Sequence, residues 1–190
     1  MKPKFRTFVA IELPQNIQDA IRKLQHSFAS HRLDIRWVKP GNTHLTLSFL
    51  GDVDPLDIET VNRVLSDIAA NYPIFDLSPR GVGIFPNVRR PRIVWVGIAG
   101  KTDVLRSVQK SVVNVLVPLG FAAEKRPYRG HLTIGRIKNR PNQDSLVTAL
   151  RTQEAFDCEA FTVRRLVIFK SELHPDGPVY TQLYRIPLGI

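Results

Sequence analysis

A set of matched spacings constrains what this chain can fold into more than any feature of its composition. An apolar segment at Phe8 precedes the tetrapeptide His44-Leu45-Thr46-Leu47 by 36 residues, and one at Val94 precedes His131-Leu132-Thr133-Ile134 by 37. From each histidine to the next helix-start signal, Pro55 or Asn142, is 11 residues. An internal duplication explains that match. Its period of 87 residues between the histidines is too long for a solenoid. The expectation is two similar lobes related by an approximate two-fold axis, with equivalent residues facing each other. The repeat units cover roughly 5–80 and 92–170. No low-complexity stretch or long linker separates them, so residues 1–190 are expected to form one bilobal domain.

Within each unit the periodicity alternates between strand and helix. Residues 6–13, 35–38, 44–50, 93–98, 131–137, 161–169 and 179–186 read as strands, most of them short apolar runs bounded by turn residues. Ile17, Ala20, Ile21, Leu24 and Phe28 fall on one helical face, with Asn16 as the expected cap. Ile58, Val61, Leu65 and Ile68 form a second such face, introduced by Asp54-Pro55 and ending near Tyr72-Pro73. A third runs from Val104 through Leu105, Val108, Val112 and Val115 to Leu119, stopped by Pro118 and Gly120. Pro141-Asn142 opens a short fourth helix ending near Gln153.

The tetrapeptides lie on strands, where residues two apart share a face. Each histidine therefore stands beside its threonine while Leu45, Leu47, Leu132 and Ile134 enter the core on the other side. Two imidazoles brought face to face suit the opening of a cyclic phosphodiester. A base must take a proton from the attacking water, and an acid must protonate the leaving alkoxide. Histidine titrates near neutrality and can fill either role. The hydroxyls of Thr46 and Thr133 can donate to the non-bridging phosphate oxygens as these gain charge. Such chemistry requires no metal or other cofactor. Five scattered histidines and a single cysteine, Cys158, offer no cluster of metal ligands. Cys158 lies in an apolar context that suits an ordinary unreactive thiol.

With its paired tetrapeptides the chain resembles the 2H phosphoesterases, specifically the RNA 2',3'-cyclic phosphodiesterase (2'-5' RNA ligase-like) branch. The segments that carry the likeness are RTFVAIELP, RWVKPGNTHLTLSFLG, GVGIFPNVRRPRIVWVGI, YRGHLTIGRIK and LHPDGPVYTQLYRIPL, which together span nearly the whole chain. The resemblance implies an α+β bilobal fold, with two pseudo-two-fold-related antiparallel sheets and outer helices around a central cleft, and with some strands crossing between lobes. It implies that His44 protonates the leaving 3' oxygen and His131 activates water, leaving a 2'-phosphate. It also places Arg136 near the phosphate, although Arg136 is three residues beyond Thr133 and, in a regular strand, faces away from it.

Charge supports an anionic partner, for 27 Lys and Arg against 17 Asp and Glu leave a formal +10. The expected partner is RNA ending in a 2',3'-cyclic phosphate, met by a monomer in the cytoplasm. No apolar run approaches the roughly 20 residues of a membrane span. Phe49, Trp37 and Tyr128 are candidates for stacking the terminal base. Arg89, Arg90, Arg92, Lys125 and Arg126 are candidates for contacting the RNA backbone. His26, His31 and His174 carry no pattern. Three other readings use the same residues: 2'-5' ligation by the reverse reaction, a phosphodiesterase for a small nucleotide, and an RNA-binding module without catalysis.

Overall fold

The computed structural model describes residues 4–124 and 126–189, and within them thirteen strands and helices follow in order. They are β1 (Phe5–Glu12), α1 (Gln15–Ser27), β2 (Ile35–Trp37), β3 (His44–Val53), α2 (Ile58–Ala69), β4 (Phe75–Phe85) and β5 (Ile93–Gly100). There follow α3 (Thr102–Leu116), β6 (His131–Ile137), α4 (Gln143–Thr152), β7 (Phe161–Val163), β8 (Arg165–His174) and β9 (Gly177–Pro187). The fold is α+β. No helix among the described residues is long and apolar enough to cross a membrane.

The two expected sheets are continuous with each other. One antiparallel sheet runs β7-β4-β5-β6-β3-β1-β8-β9, with β2 paired to β6. β3 and β6 meet at a seam where a single pair, Leu45 and Leu132, is in register. Outward from that seam the order is β3-β1-β8 on one side and β6-β5-β4 on the other. The outer strands are exchanged, because β4 comes from the first half of the chain and β8 from the second.

The four helices bury their apolar faces in one core with Val9, Ile11, Leu45, Leu47, Val94, Val96, Leu132 and Ile134. Each such side chain contributes about 1.5–3 kcal/mol of hydrophobic stabilisation. Phe8 and Ala10 alternate to the opposite face, where Val167, Phe169 and Tyr180 cover them. Both faces of β1 are thus buried, which accounts for its unbroken apolar run.

β4 is a strand that hydrophobic pattern did not predict. It contains Pro79, Gly81 and Gly83, residues that ordinarily interrupt strands. β7 pairs only with Phe75 to Leu77, and beyond it Pro79 takes part only as an acceptor, its carbonyl receiving the Cys158 N–H at 3.1 Å. Gly81 sits at a bulge with φ +67°. At Gly83 an added Cβ would lie 2.2 Å from the Trp95 ring, so the missing side chain makes room for the indole. Two expected caps also differ. The Asn16 amide donates to Glu159 instead of capping α1, and Asp54 accepts from the Leu56 N–H in a turn that ends before α2 begins. Asn142 caps α4 as expected, its Oδ1 accepting from the Ser145 N–H at 3.0 Å.

Candidate active site

The seam places the two tetrapeptides on one surface. Leu45 and Leu132 are fully buried on the helix side, so His44, Thr46, His131 and Thr133 project from the other face. Continuing the Leu45–Leu132 register by one residue each way sets His44 opposite Thr133 and Thr46 opposite His131. The histidines occupy the diagonal of this square, on opposite sides of the one registered pair. A phosphorus centre on that diagonal has an imidazole at either end.

Both rings are held alike. The Nδ1 of His44 lies 2.9 Å from the Asn42 carbonyl, and that of His131 lies 2.7 Å from the Arg129 carbonyl. A carbonyl only accepts, so Nδ1 carries the hydrogen in each case. Nε2 is left free to take or give a proton. The Asn42 side chain donates to the Pro178 carbonyl at 2.7 Å, fastening the turn before His44 to the β8–β9 hairpin. Buried Gln25 donates from α1 to the carbonyls of Val38 and Ile134, tying the start of that turn to β6. The His44 ring stacks on Phe8 at 4.5 Å and meets the Tyr180 ring edge-on at 5.2 Å. His131 meets Phe85 edge-on at 5.0 Å. Desolvation among these rings lowers the His44 pKa to about 4, and the bond to the Asn42 carbonyl opposes the shift only in part.

A cavity of about 660 Å³ brings together His44, Thr46, Thr133, Arg136, Trp37 and Phe49. His131 fronts a neighbouring hollow of about 500 Å³ with Phe85, Trp95, Tyr128 and Arg129. Arg136 reaches the first cavity because β6 is irregular. The register with β5 shifts between Val94 and Trp95, and Ile134 and Gly135 are buried in succession. The extra residue reverses the alternation and returns Arg136 to the side of Thr133.

The profile of the 2'-5' RNA ligase superfamily matches residues 13–175. The chain belongs to that superfamily. A relative named RNA 2',3'-cyclic phosphodiesterase from Methanothermobacter thermautotrophicus is 33% identical over 95% of this chain and 97% of its own length. Another of that name, from Methanocaldococcus jannaschii, is 34% identical over 92% of this chain and 96% of its own. These relatives are enzymes, and so is this chain. A Thermus thermophilus crystal structure has a TM-score of 0.77 at 25% identity, covering 96% of this chain and 97% of that one. Escherichia coli LigT complexed with 3'-AMP shares the fold, with a TM-score of 0.76 at 23% identity over 98% of this chain and 99% of that one.

In this member of the superfamily the other predicted residues divide. Phe49 is 56% exposed and open to a stacking base. Trp37 packs half-buried against Phe28 at the cavity wall. Tyr128 does not line the His44 cavity. Its hydroxyl donates across the seam to the Thr46 carbonyl at 3.1 Å, and burial pushes its pKa up, so it braces the motif strand. Arg89, Arg90 and Arg92 are exposed between β4 and β5, Arg126 is exposed before β6, and none of the four lines either cavity. Lys125 lies outside the described residues. His26 is exposed on α1, and His31 lines a separate surface depression. His174, set aside on sequence, lines the His44 cavity. Tyr180 was missed because nothing in the spacing of β9 marks it. Its hydroxyl is pushed up by burial and drawn back by the charges of Arg136 and Arg6, which line the same cavity.

Proposed function

We propose that this enzyme hydrolyses the 2',3'-cyclic phosphodiester at an RNA end to a 2'-phosphomonoester, without a metal, using His44 as proton donor and His131 as proton acceptor. The observation that carries this reading is the seam, where two antiparallel motif strands present two imidazoles with Nδ1 tied back and Nε2 free. Between them the phosphate oxygens meet Thr46, Thr133 and Arg136. The names of the relatives support the substrate class. All of these groups come from one chain, which supports a monomeric enzyme. The test is incubation with an oligoribonucleotide ending in 2',3'-cyclic phosphate, with and without excess EDTA. A 2'-phosphate product formed at the same rate in both is expected, and a rate lost to EDTA and restored by a divalent ion would overturn the metal-free mechanism.

Thr46→Val and Thr133→Val separate catalysis from binding. Valine keeps the shape and strand preference but removes the donor. One lost hydrogen bond to a charged oxygen is worth about 1.5–3 kcal/mol, so kcat/KM is expected to fall about ten- to a hundredfold. RNA affinity, carried by the cations, should fall less. Equal losses in rate and affinity would show that the hydroxyls bind only the ground-state phosphate.

A second reading has its own observation. The hollow before His131 holds about 500 Å³, whereas a water occupies about 30 Å³ in the liquid. That excess favours 2'-5' ligation, in which the 5'-hydroxyl of a second RNA attacks phosphorus in place of water and the 3' oxygen leaves. Adding a 5'-hydroxyl oligonucleotide and looking for a 2'-5' linked product tests it.

A further inference from the structure

Arg36 on β2 and Arg136 on β6 are direct cross-strand partners, and both are exposed on the wall of the His44 cavity. Like charges directly opposite each other in a sheet destabilise it. Neither has a carboxylate within ion-pair distance among the described residues, and the same holds for Arg6 and Lys39 on the same wall. Among the described residues the one carboxylate lining this cavity is Asp176, at the hairpin tip. Arg36 is held over that tip, its guanidinium donating to the Pro175 carbonyl at 3.4 Å. Arg6 faces Asp52 across the β1–β3 ladder without an ion pair to it, so a fold that keeps these four cations on one wall gains from a bound polyanion.

A terminal cyclic phosphodiester carries a single negative charge, and Arg136 with the two threonines already meets it in the reading above. Arg6, Arg36 and Lys39 are surplus to that need. The cavity, at about 660 Å³, also extends past the histidine toward the hairpin. We infer that Arg36, Lys39 and Arg6 form a second phosphate subsite, on the His44 side of the cleft, which takes the internucleotide phosphodiester next to the terminal cyclic phosphate. The inference rests on the proposed function. It makes the enzyme selective for a chain over a single nucleotide, and it directs the body of the RNA out over β2 and the β8–β9 hairpin. The hollow at His131 is then left for the nucleophile.

Three substrates test this: adenosine 2',3'-cyclic phosphate, the adenylyl dinucleotide with the same cyclic end, and that dinucleotide with an uncharged methylphosphonate linkage. The wild type should prefer the charged dinucleotide by about tenfold in kcat/KM and treat the methylphosphonate like the mononucleotide. Arg36→Gln with Lys39→Gln should remove that preference while mononucleotide turnover stays unchanged, which also shows that the variant is folded. With a longer RNA the log-log salt slope of binding should become shallower by about 0.7, as expected for one lost single-strand phosphate contact. Arg106→Gln, on the hollow at His131, should leave the preference intact. Equal efficiency on all three substrates, an equal drop on all three in the double variant, or loss of preference in Arg106→Gln would overturn the subsite and leave the proposed function standing. Turnover of none of the three by the wild type would overturn both.

Discussion

His44→Ala and His131→Ala are each expected to lower kcat/KM about 10²- to 10⁴-fold, the range for losing a general acid or base. No other single substitution in the cleft should cost as much. The two imidazoles act on one phosphorus centre at the same time, one giving a proton to the leaving oxygen while the other takes one from water. Once either is gone, the other has little to complete. The double variant should therefore be barely worse than the poorer single one, and the losses should not multiply. Folding is not at stake in the same way, because both histidines are half-buried on the cleft face while the core holding their strands lies beneath Leu45 and Leu132. Steady-state kinetics of the three variants, with thermal melts to confirm folding, check the claim. Activity within threefold of wild type in either single variant would sink the mechanism.

How far the sequence revealed this site depends on which physical rule governed each residue. Period-two alternation placed the histidines with their threonines, because β3 and β6 are regular where the tetrapeptides lie. The same rule put Arg136 on the wrong face, since a bulge shows only against the partner strand and the sequence of β6 does not announce it. β4 was hidden because Pro79, Gly81 and Gly83 are tolerated there for reasons that belong to β7 and Trp95. Tyr128 looked like a stacking ring, yet its hydroxyl is committed to a carbonyl on the other motif strand. Tyr180 and Asn42 acquire their places through the β8–β9 hairpin, whose bond to Asn42 spans 136 residues of sequence.

The second large effect concerns the pH dependence of stability. In the unfolded chain His44 titrates at 6.5, and in the folded chain its pKa is about 4. Above pH 6.5 it is neutral in both states and its contribution to stability is fully present. As the pH falls from 6.5 toward 4, the unfolded chain gains a proton that the folded one does not, so stability declines. The loss is complete below the folded pKa and amounts to at most about 3 kcal/mol, from the interval between the two values. His44→Gln removes the titration and keeps a hydrogen-bonding side chain. Urea denaturation of both proteins at pH 8, 6.5, 5 and 4 should show the stability difference moving by about 3 kcal/mol in favour of the variant as the pH falls, while carboxylate effects common to both cancel. A constant difference would show that burial does not hold His44 neutral.

The same measurement bears on its catalytic role. A neutral His44 in the empty site cannot donate a proton at pH 7, so the acid role requires the arriving phosphate to recharge it. One negative charge at about 4 Å, at an effective dielectric of about 20, stabilises the imidazolium by about 4 kcal/mol, which is enough to return it to the ordinary histidine range. Titrating the His44 ring by NMR with inorganic phosphate present should show that rise. If its pKa stays near 4, His44 fits the base role, and the proton donor is His131.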